Sequence, residues 1–263
     1  MKKIILILFF ASVFVQTKVE TRTLNNGNLI LEDVPNVPQE IKRELKGYQN
    51  IRSASFRGFK PNNEGVFIST RFGDVGQLHA VDKPLGMRKQ LTFFDEPIGS
   101  VSVQPNGGLI DCTMDSGGSE NAQIYVMNPE NGRTVLVSDG ESRNGSVLWS
   151  RDGEKIAFGT TRRNGASNDV WVMDYKYPEK AKMVFASPDG TSWTPADWSK
   201  DSKKILLQNY ISVTSSRIFI VDTETGESEL VTDKEDSSNL ALAFGASGRG
   251  FFFLTDQFGQ FRQ

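Results

Sequence analysis

Histidine and cysteine, the side chains most often used for acid–base and nucleophilic catalysis near neutral pH, are scarce in this chain. Among 263 residues it has one histidine, His79, and one cysteine, Cys112. A hydrolytic serine needs a base to take its proton and preorganised donors for the oxyanion. His79, the only candidate imidazole base, lies in QLHAVD, where the matching segments of the chain carry aromatic residues. Cys112 lies in the apolar run LIDCTM, which is typical of a buried thiol. We therefore predict that neither residue is catalytic.

Polar residues that come just before the repeated strands of the chain are better candidates for a binding surface. Loops held rigidly by neighbouring strands often carry binding residues. The candidates are Arg52, Asp95, Glu96, Arg143, Asn144 and Asp197, with Thr194 near the last of them. No catalytic residue, metal ligand or cofactor is predicted. The alternative is that these side chains are ordinary solvated loop residues.

A sequence repeat of about 46 residues positions these loops. Both faces of the repeated third strand are apolar, so each strand must be buried on two sides. Four short strands per unit and a period in the forties favour an all-β fold, a β-propeller of four-stranded antiparallel blades. The third strands are QLHAVD (77–82), QIYVMN (123–128), DVWVMD (169–174) and RIFIVD (217–222), which are 46, 46 and 48 residues apart.

The repeat predicts four complete blades and part of a fifth, that is, a truncated or incomplete propeller. Trp149 and Trp198 are expected to be buried between blades, and His79 to occupy the same strand position as Tyr125, Trp171 and Phe219. Either the strand NLILEDV (28–34) completes the last blade, or the chain is the front part of a longer protein, which its end in mid-blade favours. The blades are placed near residues 51–97, 98–144, 145–193 and 194–238, with a partial blade at 239–263.

The N-terminus predicts export. Lys2 and Lys3 precede an apolar stretch of 12 residues, 4–15, whereas a membrane span needs about 20. Residues 1–17 are therefore interpreted as a signal peptide of a secreted or periplasmic protein without a stable membrane span, and the alternative is an uncleaved anchor. Residues 18–50 are read as an extension with a short helix. A net charge of −2 gives no reason to expect a nucleic-acid partner.

The repeat and the segments around it resemble known families. W-S-x-D-G-x-x-I followed by DVWVMD resembles the repeat of TolB-type propellers. RTLNNGNLI, YQNIRSASFRGF, ISTRFGDVGQLHAVD and RKQLTFFDEPI resemble the N-terminal propeller of bacterial secreted peptidases of the prolyl-oligopeptidase family, including the dipeptidyl-peptidase-IV-like type. The resemblance covers residues 22–263. It implies that the propeller precedes a C-terminal α/β-hydrolase domain, covers its active site and meets its peptide substrate.

The chain matches only the non-catalytic half of that family. The family's nucleophile lies on a G-x-S-x-G elbow, and the nearest string, GASGRG (245–250), has the wrong spacing. The resemblance therefore implies a propeller that gates a serine peptidase, the chain alone having no hydrolytic activity. The alternative is a stand-alone periplasmic TolB-like propeller that serves as a protein-binding scaffold. A free-standing propeller enzyme is disfavoured because acid, base and metal-binding residues are not clustered in the sequence.

Overall fold

The computed structural model describes residues 19–232 and 237–263. The predicted signal peptide at 1–17 lies outside the described residues. The described chain begins with a two-stranded hairpin, β1 (Thr21–Leu24) and β2 (Leu29–Glu32), followed by one helix, α1 (Gln39–Gln49). None of the helices in these two ranges is long and apolar enough to cross a membrane.

Four antiparallel four-stranded sheets follow, and each one is a blade whose strands are hydrogen-bonded in sequence order. Blade 1 contains β3 (Ala54–Phe59), β4 (Val66–Thr70), β5 (Gln77–Val81) and β6 (Lys89–Gln90). Blade 2 contains β7 (Val101–Val103), β8 (Ile110–Met114), β9 (Gln123–Met127) and β10 (Thr134–Leu136). Blade 3 contains β11 (Asn144–Trp149), β12 (Lys155–Thr160), β13 (Asp169–Asp174) and β14 (Lys182–Phe185). Blade 4 contains β15 (Ser192–Trp198), β16 (Lys204–Ser212), β17 (Ser215–Asp222) and β18 (Ser228–Leu230).

The fifth blade has two strands, β19 (Asn239–Phe244) and β20 (Phe251–Thr255). After β20 the chain turns, and Gln263 exchanges both backbone hydrogen bonds with Thr255, at 3.0 and 3.1 Å. This is the pattern of an antiparallel hydrogen-bonded pair, so Gln263 lies where a third strand would begin. The alternative closure by NLILEDV is wrong for the described structure, because β2 pairs with β1, with Leu29 opposite Leu24.

The first strands of successive blades pack beside one another, β3 with β7, β7 with β11, β11 with β15 and β15 with β19. Hydrophobic clusters fill the space between neighbouring blades. The prediction of an all-β partial propeller with four complete blades is confirmed. Trp149 and Trp198 are buried as expected, and His79, Tyr125, Trp171 and Phe219 occupy equivalent third-strand positions.

The up-and-down order of the strands divides the loops between two faces. The entry face carries the links between blades and the loops from second to third strands. The hairpin face carries the turns that join first to second and third to fourth strands. The hairpin of β1 and β2 touches the entry face, where Asn28 Nδ2 donates a 3.4 Å hydrogen bond to the carbonyl oxygen of Ser116 in blade 2.

Candidate functional site

Four of the six predicted binding residues lie in segments that lead into the first strand of a blade on the entry face. Arg52 precedes β3, and its guanidinium lies 4.8 Å from the centre of the Phe72 ring. Asp95 and Glu96 lie between β6 and β7; Asp95 is exposed. A carboxylate oxygen of Glu96 accepts a 2.7 Å hydrogen bond from the backbone N–H of Gly117. Glu96 therefore connects the first link to blade 2, whereas Asp95 remains open to solvent.

The side chain of Gln77, at the start of β5, holds the first of these links in place. Its amide nitrogen donates to the carbonyl oxygens of Phe94 and Glu96 at 2.9 and 3.2 Å. Its amide oxygen accepts from the Thr92 hydroxyl at 2.7 Å and from the Phe94 N–H at 3.1 Å. A buried amide with four bonds to one short segment fixes the path of that segment.

The same arrangement recurs at the start of the next two third strands. Gln123 accepts from the Ser138 hydroxyl at 2.7 Å and donates to the Ser142 carbonyl oxygen at 2.8 Å. In blade 3 the position is Asp169, which is paired with Arg163 through bonds of 2.7 and 2.9 Å. Sequence reasoning missed these residues. A polar residue opening the third strand every 46 positions, at 77, 123 and 169, was the signal for them.

Asn144 and Arg143 are neighbours in sequence but have different surroundings. Asn144 is buried, and its side-chain amide donates to the carbonyl oxygens of Ala122 at 2.9 Å and Ser142 at 2.7 Å. Its hydrogen-bonding capacity is therefore committed to the fold. Arg143 is exposed, while its backbone N–H donates to the Thr161 hydroxyl at 3.1 Å. Of the two, only Arg143 presents an accessible side chain.

Asp197 is not in a link between blades, and this expectation needs correction. The strand β15 begins at Ser192, so Thr194 lies inside it and Asp197 is its penultimate residue, near the hairpin face. The Asp197 carboxylate pairs with Arg151 at 2.5 and 2.6 Å and accepts a 2.8 Å bond from the Phe244 N–H. The sequence pattern placed the start of β15 too late because strands 192–198 and 204–212 are longer than in other blades. Asp197 thus joins blades 3, 4 and 5.

His79 and Cys112 are both buried, and burial keeps each side chain in its neutral form. His79 Nδ1 lies 3.0 Å from the Gln77 carbonyl oxygen, and its Nε2 has no hydrogen-bond partner among the described residues. Burial lowers the pKa of His79, so its neutral form is favoured. Burial raises the pKa of the Cys112 thiol to about 12, which keeps it protonated and poorly nucleophilic.

Asp111 was not singled out in the sequence, although it is the most perturbed carboxyl. It lies in β8 and is 1% exposed. Burial raises its pKa to about 7, against the opposing effect of a hydrogen bond from the Ser102 hydroxyl. No set of three His, Cys, Asp or Glu residues suited to a metal ion occurs in the described part of the chain. Because the Asp111 carboxyl is buried, its raised pKa is expected to affect the stability of the fold.

Two surface depressions accompany these residues. A groove of 840 Å³ opens on the hairpin face between blades 1 and 2 and is bordered by charged residues, including Lys60, Asp82 and Lys89. A pocket of 320 Å³ opens on the entry face between blades 3 and 4, and both Arg143 and Asn144 line it. The structure therefore brings two of the six predicted residues to one pocket and distributes the other four elsewhere.

Comparison with known proteins gives a consistent result for the fold. The chain aligns with a prolyl endopeptidase at a TM-score of 0.64 and 13% identity, over 93% of this chain and 42% of that one. TolB from Acinetobacter baumannii aligns at a TM-score of 0.55 and 16% identity, over 90% and 56%. A putative TolB from Agrobacterium tumefaciens aligns at 0.53 and 18% identity, over 68% and 64%. At these identities the likeness concerns the fold, and the chain spans less than two thirds of each of these proteins.

A search of curated proteins finds no match to this chain. Residues 95–263 match the family described as prolyl oligopeptidase, N-terminal beta-propeller domain. This range contains blades 2 to 4 and the partial fifth blade, and thus more than half of the chain. The chain therefore belongs to the family of prolyl oligopeptidase N-terminal β-propeller domains.

Proposed function

We propose that this chain is the non-catalytic propeller that covers and gates the active site of a prolyl-oligopeptidase-family serine peptidase. The observation that carries the proposal is the family match over residues 95–263. In the full-length protein a C-terminal α/β-hydrolase domain would hydrolyse the peptide substrate. The mechanism is steric: the propeller admits extended peptides to the cavity between the domains and excludes folded proteins.

The way in which the blades are joined supports a rigid gate. Arg151 and Asp197 pair across blades 3 and 4, and the indole N–H of Trp198 donates to the Leu148 carbonyl oxygen at 3.1 Å. On the hairpin face Gln104 Nε2 donates to the Gly153 carbonyl oxygen at 2.7 Å, which joins blades 2 and 3. A size filter needs such fixed dimensions, because a loosely joined ring would not distinguish peptides from folded domains.

The N-terminal extension supplies a surface suited to a neighbouring domain. Ile41, Leu45 and Tyr48 are spaced as one face of α1, and all three are exposed. The β1–β2 hairpin that precedes the helix touches the entry face through Asn28. We propose that this apolar face of α1 contacts the hydrolase domain and that the entry face is turned toward the active site.

Export is also part of the proposal. Residues 1–17 carry the charge and apolar length of a signal peptide. The peptidase would therefore act in the periplasm or outside the cell. Chemical sequencing of the N-terminus of protein recovered from a cell-envelope fraction would give a start after the apolar stretch. Recovery with Met1 intact would contradict removal of a signal peptide.

The gating proposal can be tested by assaying the 263-residue chain for activity and by sequencing the coding DNA beyond it. The purified 263-residue chain is expected to give no serine labelling with a fluorophosphonate and no hydrolysis of peptide, ester or amide substrates. The coding DNA is expected to continue past Gln263 through further blade repeats into a G-x-S-x-G segment. The protein from that longer frame should cleave unstructured peptides and leave the same sequences intact inside a folded domain. Stoichiometric labelling of one serine in the 263-residue chain would overturn the proposal.

The second candidate is a stand-alone binding scaffold, favoured by the structural likeness to the two TolB proteins. A stop codon directly after Gln263, with no hydrolase frame nearby, would support it. Monomeric behaviour of the 263-residue chain at high concentration would also support it. If further blades normally complete the propeller, the 263-residue chain by itself should expose apolar surface and an unpaired strand edge, and it should associate.

A further inference from the structure

The entry-face pocket between blades 3 and 4, here called the Arg143 pocket, has the features of a site for one small anionic group. Its volume is 320 Å³, and its lining includes Arg143, Gly145, Thr191 and Ser192. Because β11 and β15 are both first strands, the pocket lies beside the axis of the propeller. A group bound there would therefore lie near the propeller axis, on the entry face.

The space in the pocket results from a missing side chain. Arg143, which directly precedes β11, and Gly145, the second residue of β11, line the pocket together with Ser192, the first residue of β15 in the next blade. A Cβ atom built on Gly145 would have no heavy atom within 4 Å. The backbone of Gly145 does not have a positive φ, so a larger residue could occupy the position without backbone strain. Glycine here leaves room that the fold itself does not require.

The charge in the pocket is uncompensated. Arg162 pairs with Asp139, and Arg163 pairs with Asp169. Arg143, in contrast, forms no ion pair with any residue in the described ranges, and none of the residues that line the pocket is acidic. An arginine in a concave site without a protein carboxylate is suited to a carboxylate from a ligand, which it can bind through two parallel N–H donors.

We propose that the Arg143 pocket is a carboxylate-binding subsite for peptides, with Arg143 as the anion-binding residue and Gly145 providing the space. The proposal rests on the peptide-gating function above and names the substrate feature that the gate would recognise. The carboxylate is either the C-terminal group of a peptide or the side chain of an acidic residue. The Ser192 hydroxyl, which also lines the pocket and is exposed, is placed to donate a further hydrogen bond.

The test measures peptide binding to the full 263-residue chain by calorimetry at low ionic strength. The probes are trialanine with a free C-terminus, trialanine amide, and an N-acetylated, C-amidated Ala-Glu-Ala. At least one of the two carboxylate peptides should bind more tightly than trialanine amide, and which of them binds identifies the source of the carboxylate. No measurable binding of either carboxylate peptide would overturn the proposal. Arg143→Gln should weaken binding by about tenfold or more, the effect expected for loss of a charge-assisted bidentate contact. Gly145→Leu should abolish binding by filling the pocket while leaving the unfolding midpoint close to that of the wild type.

Arg133→Gln is the matched control, because Arg133 is an exposed arginine at the turn before β10, on the hairpin face. It makes the same change in net charge and should leave binding unchanged. Equal affinity for trialanine and both amidated peptides would overturn the proposal, as would wild-type affinity in Arg143→Gln or an equal loss in Arg133→Gln. The assay needs no hydrolase domain, so a negative result would leave the proposed gating function to its own test.

Discussion

The interface between blades 3 and 4 and the interface between blades 1 and 2 are built from the same repeat but are joined differently. Both contain a buried apolar cluster. Blades 3 and 4 are also joined near the hairpin face by the Arg151–Asp197 pair and by the N–H of Asp152, which donates to the Ser202 hydroxyl at 3.2 Å. Between blades 1 and 2 the described residues form no hydrogen bond on that face, and the 840 Å³ groove opens there instead.

The difference shows that apolar side chains of the strands pack one blade against the next at both interfaces. Polar residues in and near the turns decide whether hydrogen bonds and ion pairs also join the two blades. The interface between blades 2 and 3 is also closely joined through a turn: Gly153 of blade 3 has a φ of +75°, and a Cβ added to it would lie 2.2 Å from the Pro105 carbonyl oxygen of blade 2. In blade 1 the corresponding turn carries Lys60, whose ion pair with Asp82 stays within its own blade. Blade 1 is thus held to blade 2 mainly through apolar packing and entry-face contacts.

The largest effect is expected from removing a buried side chain at the firmly joined interface. Trp198 is 0% exposed and bonded to Leu148 of blade 3. Trp198→Ala should lower the free energy of unfolding by about 3–5 kcal/mol, as large-to-small core substitutions do. Phe59→Ala, at an exposed aromatic of blade 1, is the control and should have little effect. A loss below about 1 kcal/mol for Trp198→Ala in urea denaturation would show that this interface contributes little to stability.

A pH-dependent effect is expected at Asp111, which lies in blade 2. Burial raises the folded-state pKa of Asp111 to about 7 from an ordinary value of 3.8. The protonated side chain therefore stabilises the fold fully below pH 4, and this stabilisation is lost as the pH rises toward 7. Asp111→Asn cannot ionise. Its stability relative to wild type should therefore increase between pH 4 and pH 8, by about 4 kcal/mol at most. Parallel stability curves for the two proteins across this range would contradict the raised pKa.

A smaller effect is expected from the ion pair that distinguishes the two interfaces. Arg151→Ala would leave the largely buried Asp197 carboxylate with the Phe244 N–H as its remaining hydrogen-bond donor among the described residues. Because the Arg151 side chain is 48% exposed, solvent screening limits the expected loss to about 1–2 kcal/mol. Lys60→Ala removes the exposed pair of blade 1 and should cause no measurable change. Equal losses in the two variants would remove the distinction drawn between the interfaces.

The last prediction concerns association rather than folding stability. The side chain of Phe252 in blade 5 is 65% exposed, and β20 has only a single-residue pairing on its outer side. The chain should self-associate in sedimentation experiments as its concentration rises, because exposed apolar side chains and an unpaired strand edge adhere. Phe252→Asp should reduce the association with little change in the unfolding midpoint. Unchanged association would locate the contact elsewhere, and the exposed face of β3 around Phe56 is then the next position to alter.

The candidate site was only partly predictable. The links carrying Arg52, Asp95, Glu96 and Arg143 lie where the repeat placed them, because strand spacing fixes where loops occur. Sequence proximity could not reveal that the Asn144 side chain donates to the carbonyl oxygens of Ala122 and Ser142, while its neighbour Arg143 forms no ion pair within the described ranges. Nor could it show that Asp197 meets Arg151, which is 46 residues earlier in the chain.

The sequence by itself determined the strands, their antiparallel order and the number of blades, because a two-sided apolar strand repeated every 46 residues can be buried only between similar sheets. It also determined the absence of an elbow serine and left one histidine, His79, on a third strand. The expectation that His79 packs between two blades is wrong for the described structure: its neighbours Leu78 and Ala80 face blade 2, whereas His79 packs on Phe72 of its own blade. Only the tertiary structure decided which interfaces are joined by polar contacts, where grooves open, and that Arg143, unlike Arg162 and Arg163, forms no ion pair with another described residue. These properties depend on side chains from different repeats meeting in space, at separations that the local pattern of apolar and polar residues does not encode.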